Sequence, residues 1–215
     1  CKKNQIIFIA DEVVTGFGRL GHFFSSEEIF GVVPDIITCA KGITSGYLPL
    51  GAVLFSDQLI ADLKNDSSLF FHGYTYSGHP ACCAAALKNI EILKRDKILE
   101  HVKEIEPYFF EKLNSLYELP IVGDIRGKGL MAGIECVINK DSKEALVLDK
   151  AIGSRIDEES IKLGLIIRPL YHICVLSPAL IINKEQINEL TEKLYQAISN
   201  TIDQLKNEGL WSHTK

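Results

Sequence analysis

Two short apolar runs, each followed directly by a charged residue, constrain this sequence more than any other feature. The first run covers residues 6–10 and is followed by Asp11, and the second covers residues 36–40 and is followed by Lys41. Unbroken apolar runs of this length are typical of parallel strands that are covered on both faces. We therefore predict two buried strands, each with a charged residue at its carboxyl end.

The residues between the two runs predict a connection that keeps the strands parallel. The Ser-Ser-Glu-Glu sequence at residues 25–28 is suited to cap and begin a helix that continues through about Phe30. A strand, a helix and a second strand within about thirty residues form a βαβ unit, whose right-handed crossover brings both strand ends to one edge of the sheet. Because ligands bind at that edge in open α/β sheets, Asp11 and Lys41 are expected to lie at a ligand crevice.

Asp11 and Lys41 by themselves leave two simpler interpretations open. The two residues could form a structural salt bridge, or they could remain two solvated loop charges. Most charges at strand ends take part in no chemistry, so the pair alone does not define a site.

The residues around this pair supply five motifs in one order. They are Asp11-Glu12-Val13, Gly16-Phe17-Gly18-Arg19, Pro34-Asp35, Ala40-Lys41-Gly42 and Gly46-Tyr47-Leu48-Pro49-Leu50-Gly51-Ala52. In this order and at this spacing they closely resemble the class III pyridoxal-phosphate-dependent aminotransferases, also called ω-aminotransferases. The resemblance implies an α/β fold of the fold-type I transferases. The chain would then contain part of a large domain, with a mostly parallel sheet covered by helices, and a small C-terminal α/β domain.

The resemblance also implies a role for each of five residues. Lys41 would form a Schiff base with the aldehyde of pyridoxal 5'-phosphate and then move protons, and Asp11 would pair with the ring nitrogen of that cofactor. Val13 would pack against the ring face, and Thr75 would reach the cofactor phosphate of the neighbouring subunit in a homodimer. Arg168 would bind the substrate carboxylate, which its planar guanidinium matches in bidentate fashion.

Several of these segments have a plainer interpretation when the residues are taken alone. The segment 71–80, which contains Thr75, is also suited to a packed aromatic loop. Arg168 follows a predicted apolar strand at residues 165–167, where a structural ion pair is at least as reasonable as a substrate contact. The glycine-rich segment 123–131 carries basic residues that could bind an anion, but a loop with solvated charges is the favoured interpretation.

Val14 and the loop at residues 45–49 refine the expected reaction. Some class III enzymes have glutamine at the position of Val14. The branch that uses pyruvate as the amino acceptor instead resembles this sequence both at Val14 and in the loop at residues 45–49. The expected function is transfer of an amino group from an amine or an ω-amino acid to a keto acid, with pyruvate as the expected acceptor. Two alternatives remain open: another class III enzyme, such as an aminomutase or a racemase, or an inactive truncated fragment.

The pattern along the chain changes near residue 96, which sets the expected domains. Residues 1–95 would be the C-terminal part of the cofactor-binding large domain, and residues 96–215 a small domain of antiparallel strands with covering helices. A helix is predicted from about residue 96 to 117, kinked or divided by Pro107. Because the chain starts at Cys1 and enters a predicted central strand almost at once, we expect only the C-terminal half of the resembled family.

Composition excludes several classes of partner. The net charge of −5 argues against a nucleic acid or an acidic membrane as partner, and no apolar run approaches the roughly 20 residues of a transmembrane helix. No signal-peptide pattern opens the chain. Six cysteines without a CxxC pair, and six histidines without metal-ligand spacing, predict a reducing cytoplasm with neither a disulfide framework nor a metal site. The expected partners are small-molecule amines and keto acids and a second copy of the chain.

Overall fold

The computed structural model describes residues 1–65, 71–141, 144–145 and 152–211, and it divides the chain into two compact units, residues 1–100 and 101–215. The helices are α1 (Ser25–Glu28), α2 (Asp57–Asn65), α3 (Pro80–Arg95), α4 (Ile98–Asn114), α5 (Ile152–Lys162) and α6 (Lys184–Asn207), with short 3-10 turns at Lys2–Asn4, Lys41–Thr44 and Ser115–Glu118. The strands are β1 (Ile9–Asp11), β2 (Ile36–Cys39), β3 (Ala52–Phe55), β4 (Val122–Lys128), β5 (Met131–Asn139), β6 (Glu144–Ala145), β7 (Arg168–Leu170) and β8 (Ile173–Leu176). The assignment of the regions on either side of residue 96 to a cofactor-binding domain and a small domain stays a prediction.

The first unit contains a sheet in the order β1-β2-β3. β1 and β2 are parallel, with Asp11 opposite Thr38, which confirms the predicted parallel connection, and β2 and β3 are antiparallel. Asp35, directly before β2, forms hydrogen bonds with the residue before β1 and the residue after β3. Its carboxylate accepts the N–H of Phe8 at 2.8 Å, its own N–H donates to the carbonyl of Phe8 at 2.9 Å, and its carbonyl accepts the N–H of Ser56 at 2.8 Å.

β1 is shorter and more exposed than the apolar run predicts. It begins only at Ile9, and the side chains of Ile6, Ile7 and Ile9 are 57%, 53% and 55% exposed. The prediction of a strand over residues 6–10 that is buried on both faces is therefore wrong. The ladder with β2 starts where Ile9 lies opposite Ile36, so the residues before it have no register partner in that strand.

α1 is also shorter than predicted, and a different residue caps it. The helix ends at Glu28, and Phe24 rather than Ser25 occupies the N-cap position, without a capping side chain. The carboxylate of Glu12 instead accepts the N–H of Ser25 at 2.8 Å and the N–H of Ser26 at 2.7 Å. A carboxylate at this place satisfies N–H groups that a helix leaves unpaired at its start and complements the helix dipole.

The second unit contains an antiparallel sheet in the order β4-β5-β8-β7, with β6 paired to β5. Its core combines side chains from this sheet with one face each of α4, α5 and α6. Fully buried members from these elements include Phe109, Ile134, Ile156 and Ile198. The expected combination of antiparallel strands and covering helices is thereby confirmed.

Pro107 lies inside α4, which is continuous from Ile98 to Asn114, so of the two predicted effects, a kink or a division, the division does not occur. A proline removes one helical hydrogen bond and crowds the preceding turn. However, α4 buries four side chains on one face, two before and two after the proline: Val102, Ile105, Phe109 and Leu113. Packing on both sides of Pro107 offsets the lost hydrogen bond and keeps the helix continuous.

The glycine-rich segment 123–131 forms a hairpin, so its prediction as a loop is wrong. β4 and β5 pair down to the turn, where Lys128 lies opposite Met131. Arg126 forms ion pairs with Asp124, at 2.7 Å, and with Glu135 of the neighbouring strand. The basic charge of Arg126 is therefore matched within the hairpin by carboxylates of its own sheet.

Within the described residues, no helix is both long enough and apolar enough to cross a lipid bilayer.

Candidate functional site

The ends of β1 and β2 bring two of the predicted residues to one edge of the sheet. Asp11 is the last residue of β1 and lies opposite Thr38, three residues before Lys41. The side chains of Asp11 and Lys41 are both exposed. No ion pair joins them among the residues that the structure describes, so a plain salt bridge does not account for the two charges.

The carboxylate of Asp11 is oriented by the end of its own strand. Its Oδ1 accepts the N–H of Val13 at 2.9 Å, a local contact that fixes the side chain, while Val13 itself is half-buried. The second oxygen, Oδ2, has no hydrogen-bond partner within residues 1–65 and 71–141. Asp11 also lines a cavity of about 330 Å³ together with Glu12, Phe30 and Val32. An oriented carboxylate with one oxygen available fits the protonated ring nitrogen of pyridoxal phosphate.

Lys41 has an unusual backbone conformation. It begins the 3-10 turn with a φ of +41°, and Ser45, which closes the turn, has a φ of +50°. For residues other than glycine this left-handed region costs roughly 1–3 kcal/mol each, and it persists only where the surroundings hold it. Such strain clusters at functional sites, and here it sets the direction in which the Lys41 side chain leaves the backbone.

Two neighbouring elements, the β1 loop and α3, contact this strained turn. A Cβ atom added at Gly42 would lie 2.8 Å from the carbonyl oxygen of Gly16 and 3.0 Å from the Cβ of Phe17, in the loop that follows β1. Asn89 of α3 donates to the carbonyl of Gly42 at 2.9 Å and to that of Ile43 at 3.1 Å. The turn that begins at Lys41 is thus held by both the β1 loop and α3.

Glu12, the neighbour of Asp11, is only 2% exposed and anchors the β1 loop. Besides the two amides at the start of α1, its carboxylate accepts the hydroxyl of Thr15 at 2.5 Å and the hydroxyl of Ser25 at 2.7 Å. Burial alone would raise the pKa of the Glu12 carboxyl, but the hydrogen bonds from Thr15, Ser25 and Ser26 outweigh burial and hold the pKa below its usual value of 4.5. The charged form of Glu12 is therefore the one that stabilises this loop.

Replacing Glu12 with alanine should destabilise the full-length protein markedly. The change leaves two buried amides and two hydroxyls without their acceptor, and unsatisfied buried groups cost about 1–3 kcal/mol each. We expect a loss of roughly 3 kcal/mol in the free energy of unfolding at neutral pH, measured by denaturant titration. Glu91→Ala is the matched control, because Glu91 is exposed and forms a surface ion pair with Lys88, at 2.7 Å, so little change is expected.

The stabilisation by Glu12 should also depend on pH. Because the folded-state pKa lies below the unfolded value, the contribution is fully present above about pH 4.5 and is lost as the pH falls through the folded pKa. The stability difference between the wild type and Glu12→Ala should therefore shrink when the titration is repeated at progressively lower pH. A difference that stays constant well below the usual glutamate pKa would contradict this assignment.

Thr75 lies in an ordered and exposed turn of the first unit. The hydroxyl of Ser77 accepts the N–H of Tyr74 at 2.9 Å, and the N–H of Ser77 donates to the carbonyl of Tyr74 at 3.0 Å. Phe71, Tyr74 and Tyr76 are 94%, 77% and 80% exposed, so the structure does not support a packed aromatic loop. An exposed threonine hydroxyl in a fixed turn is available to a ligand or to a second subunit, and its assignment to the cofactor phosphate stays a prediction.

Arg168 belongs to the second unit, where it begins β7 opposite Val175 of β8. The strand predicted at residues 165–167 is wrong, because the ladder starts only at Arg168, and Ile166 before it is 86% exposed. The Arg168 side chain is exposed and has no ion-pair partner in the part of the chain that the structure describes. The alternative of a structural ion pair at Arg168 is therefore not supported.

Sequence reasoning missed two residues of this site, Glu12 and Asn89. Glu12 had a usable signal, because it directly follows Asp11 and Thr15 lies three residues later, within reach of its side chain. Asn89 had none, since its carbonyl partners are 47 and 46 residues away in the sequence. No group of three or more His, Cys, Asp or Glu residues able to hold a metal ion occurs among the residues described.

Comparison with known proteins places these features in a family context. The family model of the class-III aminotransferases matches residues 1–198. The putrescine–pyruvate aminotransferase of Pseudomonas aeruginosa is 42% identical over 200 residues, which cover 93% of this chain and 43% of that protein.

Solved structures agree with the sequence matches. An (S)-enantioselective ω-transaminase from Thermomicrobium roseum aligns with a TM-score of 0.89 at 41% identity, covering 94% of this chain and 45% of that chain. The PMP-bound form of an aminotransferase from Vibrio fluvialis aligns with a TM-score of 0.86 at 35% identity, again over 94% of this chain and 45% of that chain. The chain therefore spans less than half the length of the proteins that it matches.

Proposed function

Because the chain belongs to the class-III aminotransferases, which depend on pyridoxal phosphate, we propose that it is the C-terminal part of an enzyme that moves an amino group from an amine or an ω-amino acid to pyruvate. Membership of the family confirms the resemblance, the fold-type I assignment and the expected cofactor. Pyruvate as the acceptor is supported by Val14, by the loop at residues 45–49 and by the similarity to the putrescine–pyruvate aminotransferase of Pseudomonas aeruginosa.

One observation carries the proposal: Asp11 ends β1, Lys41 closely follows the end of β2, and these two parallel strands end at the edge where such sheets bind ligands. The Asp11 carboxylate is oriented by Val13, and the backbone at Lys41 is held in a strained conformation by its neighbours. A solvated pair of loop charges would need neither arrangement. The pair therefore fits the acid and the amine that this cofactor requires.

Lys41 and Asp11 have different chemical roles in the proposed reaction. When bound, pyridoxal phosphate supplies an aldehyde that takes up the amino group and a ring that draws electrons from the substrate carbon. The Lys41 amine would hold the aldehyde of the cofactor and, once free of it, would carry a proton between the substrate carbon and the cofactor carbon. The Asp11 carboxylate would accept a hydrogen bond from the ring nitrogen of the cofactor and keep the proton on that nitrogen.

Val13 and Thr75 position the cofactor in this scheme. Val13 is half-buried, and its side chain would pack against one face of the cofactor ring and exclude water from that face. Thr75 is exposed, and its hydroxyl would donate to the phosphate of the cofactor bound by a neighbouring subunit, so a homodimer is the expected assembly. Each of these two roles follows from the family pattern and from the exposure of the side chain.

A different class III chemistry, such as an aminomutase or a racemase, would use the same Lys41 and Asp11. Product analysis separates the two possibilities, because only an aminotransferase passes nitrogen to a keto acid. With putrescine and pyruvate we expect the full-length holoenzyme to form alanine in step with the consumption of the amine. A rearranged or racemised amino compound without alanine would instead support the second chemistry.

Arg168→Ala should weaken recognition of carboxylate substrates. Loss of a charge-assisted contact is worth about 2 kcal/mol, so KM for pyruvate should rise roughly thirtyfold, while KM for an amine without a carboxylate should change much less. Steady-state kinetics of the full-length enzyme measure both constants. Arg95→Ala is the control, because this exposed arginine pairs with the adjacent Asp96, at 2.7 Å. An equal loss for both substrate types, or an unfolded variant, would count against the role of Arg168.

A further inference from the structure

Asn89 directs its polar contacts to the turn that begins at Lys41. Its Nδ2 donates to the carbonyl oxygens of Gly42, at 2.9 Å, and Ile43, at 3.1 Å. Its Oδ1 accepts the hydroxyl of Ser45 at 2.7 Å. An asparagine amide offers two N–H groups and one carbonyl, so every polar group of the half-buried Asn89 side chain is engaged with this one turn.

The turn needs external support because both of its ends are in unfavourable conformations. Lys41 at its start and Ser45 after its end have φ values of +41° and +50°, which disfavour residues other than glycine. The internal bonds of the turn are also long: the N–H of Ser45 donates to Gly42 at 3.2 Å, and the N–H of Gly46 donates to Lys41 at 3.2 Å. Two contacts of Asn89 fall between the two strained ends, at Gly42 and Ile43, and the third is made to Ser45 itself.

The turn also packs closely against the β1 loop. The space of a Cβ atom at Gly42 is already limited by Gly16 and Phe17 of the β1 loop. The hydrogen bonds of Asn89 restrain the turn from separating from α3. Removing Asn89 would remove the side-chain contacts that tie the turn to α3.

We propose that Asn89 is a positioning residue, which holds the turn so that the Lys41 amine reaches the cofactor and substrate carbons in the geometry that proton transfer requires. The inference rests on the proposed function of Lys41 and adds to it a residue from a different element, α3. Displacements of about 1 Å at a reacting group can cost up to about a hundredfold in rate, so support of this kind matters for catalysis and not only for folding.

Two variants of Asn89 test the inference in the full-length holoenzyme. Asn89→Ala removes all three contacts, whereas Asn89→Asp keeps the acceptor for Ser45 but places a carboxylate oxygen against two carbonyl oxygens. We expect kcat to fall about tenfold in Asn89→Ala and further in Asn89→Asp, while KM for pyruvate stays within about twofold. The pH at which the absorbance of the lysine-linked cofactor changes should shift in both variants.

A second measurement does not depend on activity. In the cofactor-free protein, hydrogen exchange of the amides at residues 42–46 should become about tenfold faster in Asn89→Ala, because the turn loses its restraint. Asn188→Ala is the matched control: Asn188 is also half-buried on a helix, α6, and accepts a hydrogen bond from the hydroxyl of Tyr108 at 2.7 Å. This control should leave kcat, the absorbance titration and the exchange at residues 42–46 unchanged.

The outcomes separate this inference from the proposed function. If Asn89→Ala changes neither kcat nor the exchange rate, or if Asn188→Ala lowers kcat as much, the positioning role is overturned. If Asn89→Ala does not fold, Ser45→Ala takes its place. This variant should lose about threefold in kcat, and the amides of the turn should exchange faster. A Ser45→Ala variant with unchanged kcat and unchanged exchange would also overturn the role. If the wild-type enzyme is covalently linked through a lysine other than Lys41, the proposed function fails whatever Asn89 does.

Discussion

Lys41→Ala should lower the rate of amino transfer by the full-length enzyme by at least about 10²–10⁴-fold, the share that a positioned general acid–base contributes by itself. The variant also loses the covalent hold on the cofactor, so its lysine-linked absorbance should disappear. Single-turnover kinetics with an amine donor measure the loss, because they isolate proton transfer from product release. Alanine at this position should not strain the backbone more than lysine does, because it adds no side-chain bulk.

Lys97→Ala is a closely matched control for this experiment. Lys97 is also exposed and also lies in the left-handed region, with a φ of +52°, but it precedes α4 rather than following β2. The control variant should keep both the full rate and the lysine-linked absorbance. If Lys41→Ala retained activity close to that of Lys97→Ala, the assigned role of Lys41 would be untenable.

Asp11→Asn is expected to have the second-largest effect. Asparagine keeps an oxygen for the N–H of Val13, which Asp11 holds at 2.9 Å, so the end of β1 should be preserved. The negative charge is lost, however, and with it the force that keeps a proton on the ring nitrogen. A hydrogen bond that involves a charged group is worth about 1.5–3 kcal/mol, so kcat should fall by roughly one to two orders of magnitude.

The control for Asp11→Asn is Asp57→Asn, which removes an exposed aspartate from the first turn of α2. It should leave kcat unchanged. Thermal unfolding of both variants shows whether the loss at Asp11 is chemical or structural. A loss of activity that is matched by a large drop in Tm, or an equal loss in Asp57→Asn, would contradict a role for the Asp11 charge.

The central geometry of the site could be predicted from the sequence because that geometry depends on local patterns. Apolar runs that end in Asp11 and Lys41, with a crossover between them, are sufficient to predict that both residues reach one edge of a sheet, and the ladder of β1 with β2 has this arrangement. Glu12 and Asn89 depend instead on tertiary contacts. The serines that Glu12 binds are 13 and 14 residues away, and no periodic pattern reports such a contact.

The errors at β1 and at Pro107 have a different origin. An apolar run reports burial in the whole folded molecule, whereas this chain spans less than half the length of the relatives that it matches. The exposure of Ile6 and Ile7 therefore could not be anticipated from their residue types. At Pro107 the local penalty was identified correctly, but the packing of α4 on both sides of the proline outweighs it, which is a tertiary effect.

Borohydride reduction of the full-length holoenzyme, followed by peptide mapping, tests the central claim most directly. Reduction makes the link between the cofactor and its lysine permanent, so the labelled peptide identifies the residue that forms it. We predict that the pyridoxyl group is found on the peptide containing Ala40-Lys41-Gly42, and that Lys41→Ala abolishes the label while Lys97→Ala retains it. A label on any other lysine of the wild-type enzyme would contradict the assignment of Lys41.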